Sequence, residues 1–140
     1  MWIHEHDVRS ARTGKVGPRD GKQSAYLLRG AFWRTVLVLD VPGSPRVVHA
    51  PGHTGGSAAI LLEDRGVLFT GDVLCTHNAY TGRVGPQIMP SGLNADTPRA
   101  LASLGSLTGI KAGVLLPGHG ESWTGGVEEA IRQTWAAGPS

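Results

Sequence analysis

From residue 46 onward the apolar residues come in short runs, each closed by a turn residue. "RVVHA" (46–50), "SAAILL" (57–62) and "VLFT" (67–70) are too short for helices and are bounded by Gly, Pro, Asp or Ser, so each is expected to be a strand. Residues 63–66, "EDRG", read as the hairpin turn between the last two. Thr97-Pro98 is expected to open a helix, with Thr97 as N-cap, Pro98 at the first helical position, and Leu101, Leu104 and Leu107 on one face. Residues 112–116 follow as another buried-type strand. A last helix is expected from near Thr124, with Val127, Ile131, Thr134 and Trp135 on one face and Glu128–Arg132 as an i,i+4 pair. Residues 76–96 are rich in Gly and Pro and lack periodicity, which predicts a long functional loop. Strand, hairpin, loop, helix, strand, helix is the grammar of an α/β layer architecture.

The earlier chain is less sharply patterned. Residues 2–4 read as a strand stub and 5–12 as a polar, helix-compatible stretch, followed by a loop. "SAYLLRGAFWRTVLVL" (24–39) fits a helix followed by a strand, with Gly30 weakening any continuous helix. Residues 41–45 are expected to form a turn.

Composition narrows the class. The 140 residues suit one domain, and 21 glycines are about twice the usual share of ~7%, as expected of short strands joined by tight turns. The net charge is only +2, and its basic excess lies in residues 1–40, which reads as a solvated face and predicts no nucleic-acid partner. A single cysteine, Cys75, excludes an internal disulfide and makes the cytoplasm the expected location. No apolar run approaches the ~18 residues of a membrane span, and "MWIHEHDVRS" lacks the character of a signal peptide.

Candidate chemistry sits at the ends of the strand-like runs. The tripeptide Pro-Gly-His occurs twice, at 51–53 and 117–119, each time after an apolar run. Proline holds the residue before it extended and glycine permits a sharp turn, so the histidine is thrown off the strand end. "VLFTGD" ends a third run with Gly71-Asp72. Taken singly, such residues are ordinary turn formers or surface histidines. Taken together, His53, Asp72 and His119 are the residue types that a zinc or iron site uses.

The spaced set "PGHTGGS", "LFTGD" and "PGHG" resembles the metallo-β-lactamase superfamily, and within it the glyoxalase II-like hydrolases, most clearly over residues 46–137. The resemblance implies a four-layer αββα sandwich carrying a dinuclear metal site at one edge of its two sheets. It makes His53 the last histidine of the first metal's set, Asp72 the carboxylate bridging both metals, and His119 the terminal histidine of the second. Thr54 and Ser57 match the loop as structural residues. The implied cofactor is zinc, two divalent ions in a complete site, with iron or manganese as alternatives. The implied reaction is hydrolysis of a small ester, thioester or lactone by a metal-activated water, with Asp72 as the catalytic carboxylate and a small molecule as substrate.

The family's HxHxDH motif is absent from this sequence. "HEHD" at 4–7 has histidines at i and i+2, but Val8 stands where a further histidine would be required. "MWIHEHD" therefore reads as a later strand of the fold, with His4 and His6 as non-ligands. The expected fold is an N-terminally truncated sandwich, chiefly its second half, within a partial domain spanning 1–140. An upstream segment encoding HxHxDH is expected, and so is a homodimer that covers the exposed sheet. The rival reading is a non-catalytic half-domain, a remnant or binding module that has lost the dinuclear site. Of the remaining residues, His49 reads as packing or surface, and His77, Asn78 and Tyr80 as either substrate contacts or ordinary loop. Cys75 lacks an activating partner. "GHTGGS" lacks the Lys-Ser/Thr ending of a phosphate loop, and no GxSxG elbow occurs.

Overall fold

The computed structural model describes residues 45–139. The elements expected before residue 45, with His4 and His6, lie outside the described residues. Six strands and two α-helices are described: β1 (Arg46–His49), β2 (Ala58–Leu62), β3 (Val67–Gly71), β4 (Cys75–His77), β5 (Val84–Gln87), α1 (Thr97–Ser103), β6 (Val114–Pro117) and α2 (Val127–Ala137). Short 3₁₀ turns occupy Glu63–Arg65, Ser91–Leu93 and Leu104–Leu107. Among the described residues no helix is long and apolar enough to cross a membrane.

The main sheet has the order β1-β2-β3-β6. β2 is antiparallel to both β1 and β3, while β3 and β6 are parallel. It follows that β1, β3 and β6 all run the same way and finish at the same edge. Those are the three strands whose ends carry Pro-Gly-His, Gly-Asp and Pro-Gly-His. Topology alone thus brings the candidate residues to one rim, where α/β sheets place their chemistry.

The two faces of the sheet differ. Leu61, Leu68 and Leu115 form a cross-strand row, and all three are buried. They share one core with Ala100 of α1, Leu104 and Leu107 of the following turn, and Val127, Ala130 and Ile131 of α2. Each fully buried leucine contributes about 1.5–3 kcal/mol relative to exposure, so this face holds the described elements together. Alternate residues point the other way. Ile60 and Phe69 pair across β2 and β3 there and remain 42% and 40% exposed. A sheet with helices on one face and half-exposed apolar residues on the other has the layering expected of part of an αββα sandwich.

Several local expectations require correction. Residues 76–96 are not a structureless loop: β4 and β5 pair as an antiparallel hairpin, with Asn78 Oδ1 accepting from the Tyr80 and Thr81 amides at its tip. The α1 cap is Asp96 and not Thr97. Its carboxylate accepts from the Arg99 amide at 2.9 Å, which shifts Pro98 to the second helical position. The last helix begins at Val127, and its buried face is Val127, Ala130, Ile131 and Thr134. Trp135 is half-exposed, its indole N–H donating to the Leu101 carbonyl at 3.1 Å. Arg132 pairs with Glu129, one turn back at i,i+3, because Glu128 accepts from the Gly109 amide at 2.6 Å instead. The Arg132 guanidinium and the Gln133 amide on Glu129 hold its carboxyl down at about 2.

Candidate metal centre

Each candidate side chain is placed by a backbone device that its local sequence dictates. After β1, the chain reverses through Pro51-Gly52. Gly52 has φ +150°, and a Cβ on it would lie 2.2 Å from Ala100 Cα, so only glycine lets the turn lie against α1. The turn is then stitched to the segment before α1: Asp96 N–H donates to the Gly52 carbonyl at 2.9 Å and Ala95 N–H to the His53 carbonyl at 3.0 Å. Ser57 Oγ accepts from the Thr54 amide at 2.9 Å, and Thr54 Oγ1 from the Gly56 amide at 3.3 Å, giving both residues the structural part expected of them.

Asp72 follows Gly71 at the end of β3. The loop is closed by the Thr70 hydroxyl donating to the Leu74 carbonyl at 2.7 Å and by Val73 N–H donating to the Thr70 carbonyl at 3.0 Å. The second Pro-Gly-His turn lies directly against it. Gly118 N–H donates to the Gly71 carbonyl at 2.8 Å, and a Cβ on Gly118 would come within 2.6 Å of Asp72 Oδ1. Thr76 N–H donates to the His119 carbonyl at 2.9 Å, tying β4 to the same turn.

These devices bring the three side chains together. His53 Nε2 lies 3.5 Å from Asp72 Oδ2, and His119 Nε2 lies 3.4 Å from Asp72 Oδ1. The carboxylate therefore sits between two imidazoles and offers each a different oxygen. The environment is graded: the side chains of His53, Asp72 and His119 are 20%, 36% and 55% exposed. Each histidine meets its own oxygen, and among the described residues no set of three or more His, Cys, Asp or Glu side chains is gathered into a single cation site.

Other sequence candidates fall elsewhere. His49 Nε2 contacts the Gly55 carbonyl at 3.0 Å, part of the turn's scaffolding. Asn78 is buried as the organiser of the hairpin tip, while Tyr80 is exposed there. Cys75 is buried, and desolvation pushes its thiol up to about 11. It is thus a protonated core residue at neutral pH. One residue that sequence reasoning missed stands in contact with the site: Asn94 Oδ1 lies 3.4 Å from His53 Nδ1. Its signal was weak, a lone Asn in a segment read as loop.

Two histidines astride a carboxylate at the ends of like-directed strands give an α/β fold with its candidate chemistry at one sheet edge. The profile of the metallo-beta-lactamase superfamily matches residues 2–119, and the chain belongs to that superfamily. Similar curated proteins include uncharacterized proteins of Mycobacterium tuberculosis and Mycobacterium bovis, 32% identical over 124 residues, with 77% of this chain and 53% of theirs covered. The chain spans about half the length of these relatives. Among solved structures, a metallo-beta-lactamase family protein from Thermus thermophilus is 31% identical with a TM-score of 0.45, covering 66% of this chain and 30% of that one. An archaeal metallo-beta-lactamase superfamily protein from Sulfolobus tokodaii is 26% identical with a TM-score of 0.42, covering 64% and 32%.

The donor chemistry fits a divalent metal in kind. Two imidazole nitrogens pointing at opposite oxygens of one carboxylate suit a cation on either side of that carboxylate, and His and Asp are both ordinary ligands of zinc. In number the set is short, since a catalytic zinc takes three protein ligands and each histidine here shares only Asp72. A complete site of that kind would need donors beyond these three.

Proposed function

We propose that this chain contributes the second half of a metal-dependent hydrolase site, with His53 and His119 each holding one divalent metal, zinc by preference, and Asp72 bridging the two. The observation that carries the reading is the placement of the two Nε2 atoms on different oxygens of Asp72. Bound metals would supply the Lewis acidity that makes water a nucleophile at neutral pH. The chain's own residues aim the donors: the Gly52 turn fixes His53 against α1, and the Gly118 turn fixes His119 against Asp72. A small ester, thioester or lactone is the substrate class. The exposed flank at His119 leaves room for it, whereas His53 faces inward.

With only three donors for two positions among the described residues, the chain by itself should hold zinc weakly and turn over slowly. Elemental analysis of the purified protein, with thioester and lactone hydrolysis measured before and after chelation, tests this. Chelator-sensitive turnover supports the hydrolase. No metal uptake at saturating zinc and no turnover would favour the second reading, a non-catalytic half-domain, to which the short donor set lends weight. In either case a homodimer would cover the half-open Ile60 and Phe69 face, and the cytoplasm is the proposed location.

A further inference from the structure

We infer that Asn94 is a positioning residue: its carboxamide oxygen meets Nδ1 of the His53 ring and so holds the ring with Nε2 aimed at the cation position beside Asp72. This rests on the reading of His53, Asp72 and His119 as the metal set.

The orientation of the amide is decided by its other partner. The Met89 carbonyl lies 2.7 Å from the Asn94 side-chain nitrogen, and a carbonyl can only accept, so the NH2 group must face it. The Asn94 oxygen is then turned toward His53 Nδ1 at 3.4 Å, where it too can only accept. A contact there needs the proton on Nδ1. With Nδ1 so engaged, Nε2 faces the Asp72 oxygen at 3.5 Å, and that gap suits a cation between the two, either a proton shared with the carboxylate or a metal ion. A group on the far side of the imidazole thus holds the ring in the orientation that Nε2 presents to the carboxylate.

Asn94 is well held for this. Its own amide donates to the Ser91 carbonyl at 3.3 Å, and the next two amides donate to the His53 and Gly52 carbonyls at 3.0 and 2.9 Å. The segment carrying the orienting amide is therefore zipped to the turn carrying the histidine. Movement of one moves the other.

Two variants separate orientation from mere packing. Asn94→Leu keeps the volume and removes both polar atoms. Asn94→Asp keeps an oxygen for Nδ1–H but, ionised, has no proton to give Met89. The readout is zinc affinity by competition with a chromophoric chelator, with the urea midpoint of the same samples reporting any loss of packing. Zinc affinity should fall roughly 10–100-fold in Asn94→Leu and stay within a few-fold of wild type in Asn94→Asp. A purely structural asparagine would weaken both variants equally, since both lose the Met89 bond, and that result would overturn the inference. Unchanged zinc binding in His53→Ala would instead sink the metal-set reading.

Discussion

The two Pro-Gly-His turns share a tripeptide and differ in what surrounds it. The first is clamped between β1 and α1: Gly52 touches Ala100, two amides bond its carbonyls, and the His53 side chain is 20% exposed. The second leans on the neighbouring strand end: Gly118 touches Asp72, its amide bonds the Gly71 carbonyl, and the His119 side chain is 55% exposed. One turn is wedged into the helix layer and the other into the carboxylate. The difference teaches that a repeated motif fixes a direction change, while burial and reach come from whichever element packs on it. It also predicts that disturbing the first turn damages the fold and disturbing the second damages the site.

The largest expected effect is at the first turn. Gly52→Ala would set a methyl 2.2 Å from Ala100 Cα at a φ of +150° that alanine rarely adopts, combining overpacking with backbone strain. A loss on the order of 3 kcal/mol is expected, read as a lower urea midpoint at constant m-value. An unchanged midpoint would show that α1 yields and that the clamp is weak. Gly118→Ala meets chiefly the Asp72 carboxylate, at 2.6 Å, with no positive φ to strain it. Its stability cost should be smaller, about 1 kcal/mol. Its zinc affinity should fall more than in any surface variant, because the carboxylate must swing aside. If Gly118→Ala instead lost more stability than Gly52→Ala, the contrast between the turns would be reversed.

The smallest expected effect concerns Cys75, the first residue of β4. Burial raises its thiol from 9.0 to about 11, so the native protein should resist alkylation at neutral pH and react promptly when unfolded. The sign for stability follows from the raised value. The folded state favours the neutral thiol, so this contribution is complete below pH 9 and is lost as pH rises through about 11. Thiol labelling against pH, followed by mass, checks both statements. Rapid labelling of native protein at neutral pH would place Cys75 outside the core.

Much of the site was legible because proline and glycine punctuate strands by steric rules that need no tertiary context. The ends at His53, Asp72 and His119 followed from those rules, and their gathering at one rim followed once β1, β3 and β6 proved to run the same way. The β4–β5 hairpin was not legible. Its strands are three and four residues long, β5 contains Gly85 and Pro86, and the register shifts within the pair, so neither period nor propensity marks it. The α1 cap moved from Thr97 to Asp96 because both are capping residues and the choice depends on which side chain can reach the Arg99 amide. Arg132 turned to Glu129 because Glu128 was taken by a distant backbone amide. Asn94 lay hidden for the same reason: its partners, His53 and Met89, are set by how two loops meet.

The measurement closest to the central claim is a zinc titration, by calorimetry, of the wild type and Asp72→Asn. The substitution keeps the shape of the side chain and removes the charge that both histidines flank. Zinc binding in the wild type and a loss in Asp72→Asn exceeding the roughly 10–100-fold typical of an outer-shell change is the predicted result. Equal zinc affinity in the two proteins would contradict it, leaving two histidines beside a carboxylate that holds no metal.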